Sequence, residues 1–181
     1  MPNYHFTRGN ILQGLPFPNG MFDFVHQRLL VMGIPLAQWT TVIRELLRVT
    51  APGGWIELVE GGNTLYPVGP YTQRWFDWAM QLSKPHGLDP SKISFLGQYA
   101  QEAGMRNCQT TPFDLPVGNW GGRIGLLLQR DFQAIYESLR PRYQKQLGIS
   151  NDIVEETLPA MLAEWERMHT QFRFYVVTGQ P

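Results

Sequence analysis

Two short apolar runs, Phe22-Asp23-Phe24-Val25 and Trp55-Ile56-Glu57-Leu58-Val59-Glu60, flank a helical period and constrain the fold more than any other feature. Runs of this length, mostly apolar, suit strands buried in a parallel sheet. Between them Trp39, Val42, Ile43, Leu46 and Leu47 recur at helical spacing, which predicts a helix over Leu36–Val49 with Arg44, Glu45 and Arg48 off its apolar face. Pro52-Gly53-Gly54 is expected to stop that helix and turn the chain into the second strand. Gly-x-Gly-x-x-Gly spacing and a following Lys-Ser/Thr are both missing there, so it is a helix-to-strand turn and not a phosphate loop.

The rest of the chain alternates in the same way. Tyr4–Gly9 is a strand candidate, and Leu15–Gly20 is a turn with two prolines and an Asn-Gly pair. Helices are predicted over Tyr71–Ser83 and Ser91–Ala103, then a strand over Arg106–Leu115. Helical stretches over Gly121–Leu139 and Asn151–His169 follow, and Gln171–Val177 closes as a strand. The order β, β, α, β, α, α, β, α, α, β predicts an α/β layer architecture. Glu57, inside a buried strand, needs a partner, for which Arg44 and Arg48 are the candidates.

Composition narrows the function classes. The chain has 181 residues, enough for one domain with a real core. Lys+Arg and Asp+Glu are 15 each, without the basic excess of a nucleic-acid binder. No apolar run is long enough for a membrane span, and Met1–Phe6 has neither the basic start nor the apolar stretch of a signal peptide. Cys108 is the single cysteine, which points to a reducing, cytoplasmic compartment. His5, His26, His86 and His169 lack metal-ligand spacing, so no metal site is expected. Six tryptophans and ten phenylalanines suit a core first and an apolar substrate pocket second.

Two blocks carry a family resemblance. Gly9–Arg28, with Leu15-Pro16-Phe17-Pro18 leading into the apolar Phe22–Val25 run, resembles class I S-adenosylmethionine-dependent methyltransferases. So does Arg44–Leu58, where Glu45-x-x-Arg48-Val49 is followed by Pro52-Gly53-Gly54 and a strand. The resemblance is sharp over Asn3–Glu60 and topological beyond Tyr71. It implies a truncated Rossmann-like sheet, mostly parallel with an antiparallel C-terminal strand and helices on both faces. The chain then reads as one partial methyltransferase domain, with residues 1–60 on the cofactor side, 61–170 as helical substrate cover and a strand, and 171–181 as the final strand.

The resemblance also implies roles. Asn10 would face the adenine of S-adenosylmethionine with Ile11 and Leu12 beside the ring; without the family, Asn10 reads equally as the cap of a turn. His26, Gln27 and Arg28, just beyond a strand's carboxyl end, would pass the methionine part of the cofactor; otherwise they are ordinary loop residues. Glu60 would face the same cleft, where a carboxylate can orient a substrate or accept a proton, or it is a solvated loop carboxylate. His26 and Glu60 are therefore the candidate catalytic residues. The methyl acceptor is expected to be small and partly apolar. Transfer by positioning requires no obvious general base.

The family's glycine-rich loop and ribose-binding acid are not found ahead of Asn10. Cofactor binding by this chain is accordingly expected to be weak, and the Phe22–Val25 strand should have a bare apolar edge. Tyr4–Gly9 is expected to cover that edge or to cross to a partner, making a homodimer. The alternative is a non-catalytic dimerisation or ligand-binding module derived from the fold.

Overall fold

The computed structural model describes residues 3–181; Met1 and Pro2, part of the segment read above for a signal peptide, lie outside them. Five strands form one sheet: β1 (Phe22–Arg28), β2 (Thr50–Glu60), β3 (Leu65–Tyr66), β4 (Arg106–Pro116) and β5 (Gln171–Gln180). The helices are α1 (Trp39–Val49), α2 (Pro70–Ser83), α3 (Leu96–Ala103), α4 (Gly122–Leu147) and α5 (Asn151–Met168). The two apolar runs pair in parallel as β1 and β2, with Val25 opposite Ile56 and Gln27 opposite Leu58. The expected antiparallel C-terminal strand is β5, which pairs with β2, β3 and β4; because these three ladders are all antiparallel, the sheet is mixed, with β1–β2 as its parallel pair among the described residues, rather than mostly parallel.

The alternation of strand side chains divides the core into two layers. Ile56 and Leu58 of β2 and Val177 of β5 pack with Trp39, Val42, Ile43 and Leu46 of α1 and with α3. Phe172, on the opposite face of β5, packs with Trp75, Phe132, Tyr136, Tyr143 and Trp165 of α2, α4 and α5. Most of the tryptophans are thus core residues. Two of them are tied by hydrogen bonds: the Trp75 indole donates to the Tyr143 hydroxyl at 2.9 Å and the Trp165 indole to Thr72 Oγ1 at 3.0 Å. The buried Glu164 of α5 accepts from the backbone N–H groups of Tyr71 and Thr72, each at 2.9 Å, and so caps the first turn of α2.

Several elements differ from expectation. Tyr4–Gly9 is irregular, not a strand, and β1 has β2 as its neighbour on one edge only among the described residues. A strand exists only through its ladder, and Tyr4–Gly9 forms none. Tyr4 and Phe6 are exposed, and so is Phe24 at 57%. Helix α1 ends at Val49, ahead of Pro52-Gly53-Gly54; those residues loop out inside β2, because Phe22 pairs with Thr50 while Phe24 already pairs with Trp55. Gly54 is required there: a Cβ would lie 2.7 Å from the Asp23 carbonyl oxygen. The two-residue β3 is too short to give a periodic signal.

Glu45 and Arg48, one helical turn apart, explain the Leu15–Asn19 turn. Arg48 donates bidentately to Glu45 at 2.8 and 2.6 Å, and also to the carbonyls of Phe17 and Leu15 and to the Asn19 side chain. Glu45 in turn accepts from the Leu15 N–H at 2.6 Å. This fork-to-carboxylate geometry belongs to arginine, not lysine. The Arg48 hydrogen bonds hold the Glu45 carboxyl below the usual carboxylate range. Arg48→Lys should therefore raise hydrogen exchange of the Leu15 amide roughly tenfold while leaving the Ile56 and Leu58 amides protected. Unchanged Leu15 exchange would show that the fork does not hold the turn.

Candidate functional site

β1 and β2 end side by side, and the loops leaving their carboxyl ends are where an open α/β sheet places ligands. The decisive contact at these ends is made by Glu60. It shares a face of β2 with Ile56 and Leu58, so the alternation carries it into the interior, where it is 0% exposed. Its carboxylate accepts from the N–H of Leu30 at 2.7 Å, from the N–H of Val31 at 3.1 Å and from the Gln27 side-chain amide. Glu60 is thus no solvated loop residue, and its oxygens are engaged by the loop after β1.

The loop has a reason to need this clip. Leu29 sits at φ +56°, a conformation a branched side chain adopts only under constraint. The backbone N–H groups of Leu30 and Val31 would otherwise be left without partners as the chain turns away from the sheet. Desolvation favours the neutral carboxyl; the three donors favour the charged one. Desolvation wins, and the Glu60 pKa is pushed up to about 7.

The clipped loop separates two hollows. One, of about 400 Å³, opens beside the free edge of β1. Its lining includes Ile11, His26, Gln27 and Arg28, so the structure brings together four of the six residues expected to hold a cofactor. Asn10 and Leu12 are adjacent but outside that lining: Asn10 Oδ1 accepts from the Leu12 N–H at 3.1 Å and caps the short 3₁₀ turn Ile11–Gln13. Gln27 is 6% exposed, and with its amide nitrogen given to Glu60 its Oε1 has no partner. No residue lining this hollow is acidic.

His26 and Glu57 lie opposite one another in the β1–β2 ladder, on the face away from Gln27 and Glu60. His26 Nδ1 is 2.9 Å from Glu57 Oε1, and both side chains are partly exposed. Glu57's partner is therefore His26, not Arg44 or Arg48. Parallel register places the imidazole beside it, while Arg48 is taken by Glu45 and Arg44 reaches the Glu102 carbonyl.

The second hollow, about 250 Å³, lies on the other side of the loop, against the aromatic helices that the sequence reading expected to cover a substrate; its lining residues were not named from the sequence. Leu29, Val31 and Met32 wall it from the loop after β1, Gly61-Gly62-Asn63 from the loop after β2, and aromatic rings from α2, α4 and β5. Gly61 is needed because a Cβ would strike the Phe172 ring. On α4 the apolar stripe Leu128, Phe132, Ile135 and Leu139 serves both the core and this hollow, so helical spacing alone does not separate the two uses. Among the described residues, no group of His, Cys, Asp and Glu comes together as a metal site, and no helix is long and apolar enough to cross a membrane.

Residues 2–58 match the family described as "Methyltransferase domain". The chain is 24% identical over 168 residues to the N-methyltransferase sirN of Leptosphaeria maculans, covering 88% of this chain and 59% of that protein. It is 25% identical over 183 residues to the N-methyltransferase verN of Clonostachys rogersoniana, covering 98% of this chain and 63% of the relative. The chain thus spans about three-fifths of the length of these relatives. Its fold matches a SAM dependent methyltransferase from Archaeoglobus fulgidus with a TM-score of 0.51 at 9% identity, covering 99% of this chain and 69% of that one.

The raised Glu60 pKa makes a stability prediction. The folded state holds this proton where the unfolded chain, with a carboxyl near 4.5, releases it, so the contribution to stability is greatest below pH 4.5 and falls as pH rises toward 7. Urea denaturation should show a loss of about 2–3 kcal/mol between pH 5 and 8 that Glu60→Gln abolishes. The same slope in wild type and variant would place the titration elsewhere.

Proposed function

We propose that this chain, which carries part of a class I methyltransferase domain, contributes one wall of an S-adenosylmethionine site and most of a small, partly apolar acceptor cleft. The observation that carries this reading is the Glu60-clipped loop, with expected cofactor residues on one side and an aromatic-walled cleft on the other. The hollow beside β1 fits part of the cofactor: Ile11 and Leu30 supply apolar surface, and the orphaned Gln27 Oε1 supplies an acceptor for an N–H. Asn10, Ile11, Leu12, His26, Gln27 and Arg28 are the residues assigned to it. When bound, the cofactor supplies an electrophilic methyl group.

The chain's own residues then bind and orient. Glu60 acts through Gln27, Leu30 and Val31 as a positioning residue, and His26, paired with Glu57, stands at the rim of the cofactor hollow. The helical portion between residues 61 and 170 covers the acceptor. The hollow is open along the edge of β1 and lacks a carboxylate for the ribose hydroxyls, so affinity for the cofactor is low. In an amide NMR titration, S-adenosylhomocysteine should shift residues 10–12 and 26–28 selectively with weak, at best submillimolar, affinity. Shifts confined to other surfaces, or none, would overturn the assignment.

A second reading, a dimerisation module, is favoured by the uncovered edge of β1. Phe24 is exposed beside backbone groups that, among the described residues, have no ladder partner on that side. Two such edges pairing across a twofold axis would cover them. Sedimentation should then show a homodimer that Phe24→Lys dissociates; a monomer at all concentrations would exclude this reading.

A further inference from the structure

The apolar cleft contains one feature that packing does not require. Leu128, Phe132, Ile135 and Leu139 present one face of α4 to it, and Asp131 sits among them. It is the single ionisable residue of the lining. Among the described residues its carboxylate has no hydrogen bond or ion pair. Rings from other elements close on that face: Trp75 of α2 lies 5.9 Å from Phe132, edge to face, and Phe172 of β5 lies 5.0 Å from Phe132. Asp131 is exposed in this state, so water satisfies it. An apolar ligand that fills the cleft displaces that water, and the carboxylate then needs a donor supplied by the ligand itself.

We infer that the cleft takes an apolar amine, with its nitrogen held by Asp131 and its hydrocarbon body among the rings of Trp75, Phe132 and Phe172. A carboxylate or phosphate ligand meets repulsion from Asp131 and finds no cation in the lining. A neutral ligand without a donor leaves the carboxylate partly desolvated and unpaired. An ammonium gains both the ion pair and the quadrupoles of the ring faces. At about 250 Å³ the cleft lies at the small end for ligand sites, which suits a compact, single-ring amine. As the identity of the methyl acceptor, this assignment rests on the methyltransferase reading; as a binding preference, it does not.

The test uses three probes of one shape, phenethylamine, 2-phenylethanol and 3-phenylpropionate, titrated into the full chain without cofactor and followed by amide NMR. Phenethylamine should bind roughly threefold to tenfold tighter than the alcohol, with the acid weakest and the shifts centred on α4 residues 128–139. Asp131→Asn should cut the amine-to-alcohol ratio at least threefold while leaving the alcohol's affinity unchanged, which also shows that the variant folds. Equal binding of the three probes, no binding, shifts away from α4, or an intact ratio in Asp131→Asn would each overturn the proposal. Failure of S-adenosylhomocysteine to shift residues 10–12 and 26–28 would sink the methyltransferase reading alone, and the two outcomes are therefore separable.

Discussion

A carboxylate at the end of β2 holds the loop that leaves β1. The other features of the site depend on that contact. Glu60 reaches its partners because strand alternation points it inward with Ile56 and Leu58, and because parallel pairing brings the end of β1 alongside. Its oxygens satisfy the backbone of Leu30 and Val31 while Leu29 makes a left-handed turn. Without it, the N–H groups of Leu30 and of the buried Val31 would lose their acceptor beside a residue in a left-handed conformation, a combination a folded chain rarely tolerates. Its third partner, Gln27, is oriented by the same contact, which leaves the buried amide oxygen without a partner.

The two hollows are therefore not independent. One segment of about five residues forms a wall of each, with Gln27, Arg28 and Leu30 lining the hollow beside β1 and Leu29 and Val31 lining the aromatic-walled cleft. A shift of this loop would therefore alter both at once. Carboxylates do similar work elsewhere in the chain. Glu164 caps α2, Glu166 accepts from the Trp120 N–H at 3.0 Å, and Glu45 with Arg48 ties down the Leu15–Asn19 turn. In each case a side chain supplies an acceptor or donor that an irregular segment lacks.

Much of this was legible in the chain's periodicities. The apolar runs of β1 and β2 and the helical stripe of α1 appear where the spacing put them, as do α2 and α5, while α4 runs on past the expected Leu139 to Leu147. Such signals survive because one face of each element is buried in either layer of the core. Tyr4–Gly9 had strand-like composition, but a strand requires a partner, and composition says nothing about whether an edge is free. The partner of Glu57 was misjudged because charge alone suggested arginine. Register decides the matter, and it places His26 opposite. Glu60 was singled out for its position, yet its role depends on N–H groups thirty residues earlier in the chain, which no local pattern encodes. The aromatic-walled cleft combines residues from six parts of the chain, and the sequence suggested only that the aromatic helices would cover such a space, not which residues meet.

Hydrogen exchange at the amides of Leu30 and Val31 tests this account most directly. If the buried carboxylate organises the loop, both amides exchange as slowly as those of Leu58 in the wild-type chain. In Glu60→Ala they alone gain several orders of magnitude in rate, with the α4 and α5 amides unchanged. Rapid exchange at Leu30 and Val31 in the wild-type chain, or slow exchange that survives Glu60→Ala, would contradict it.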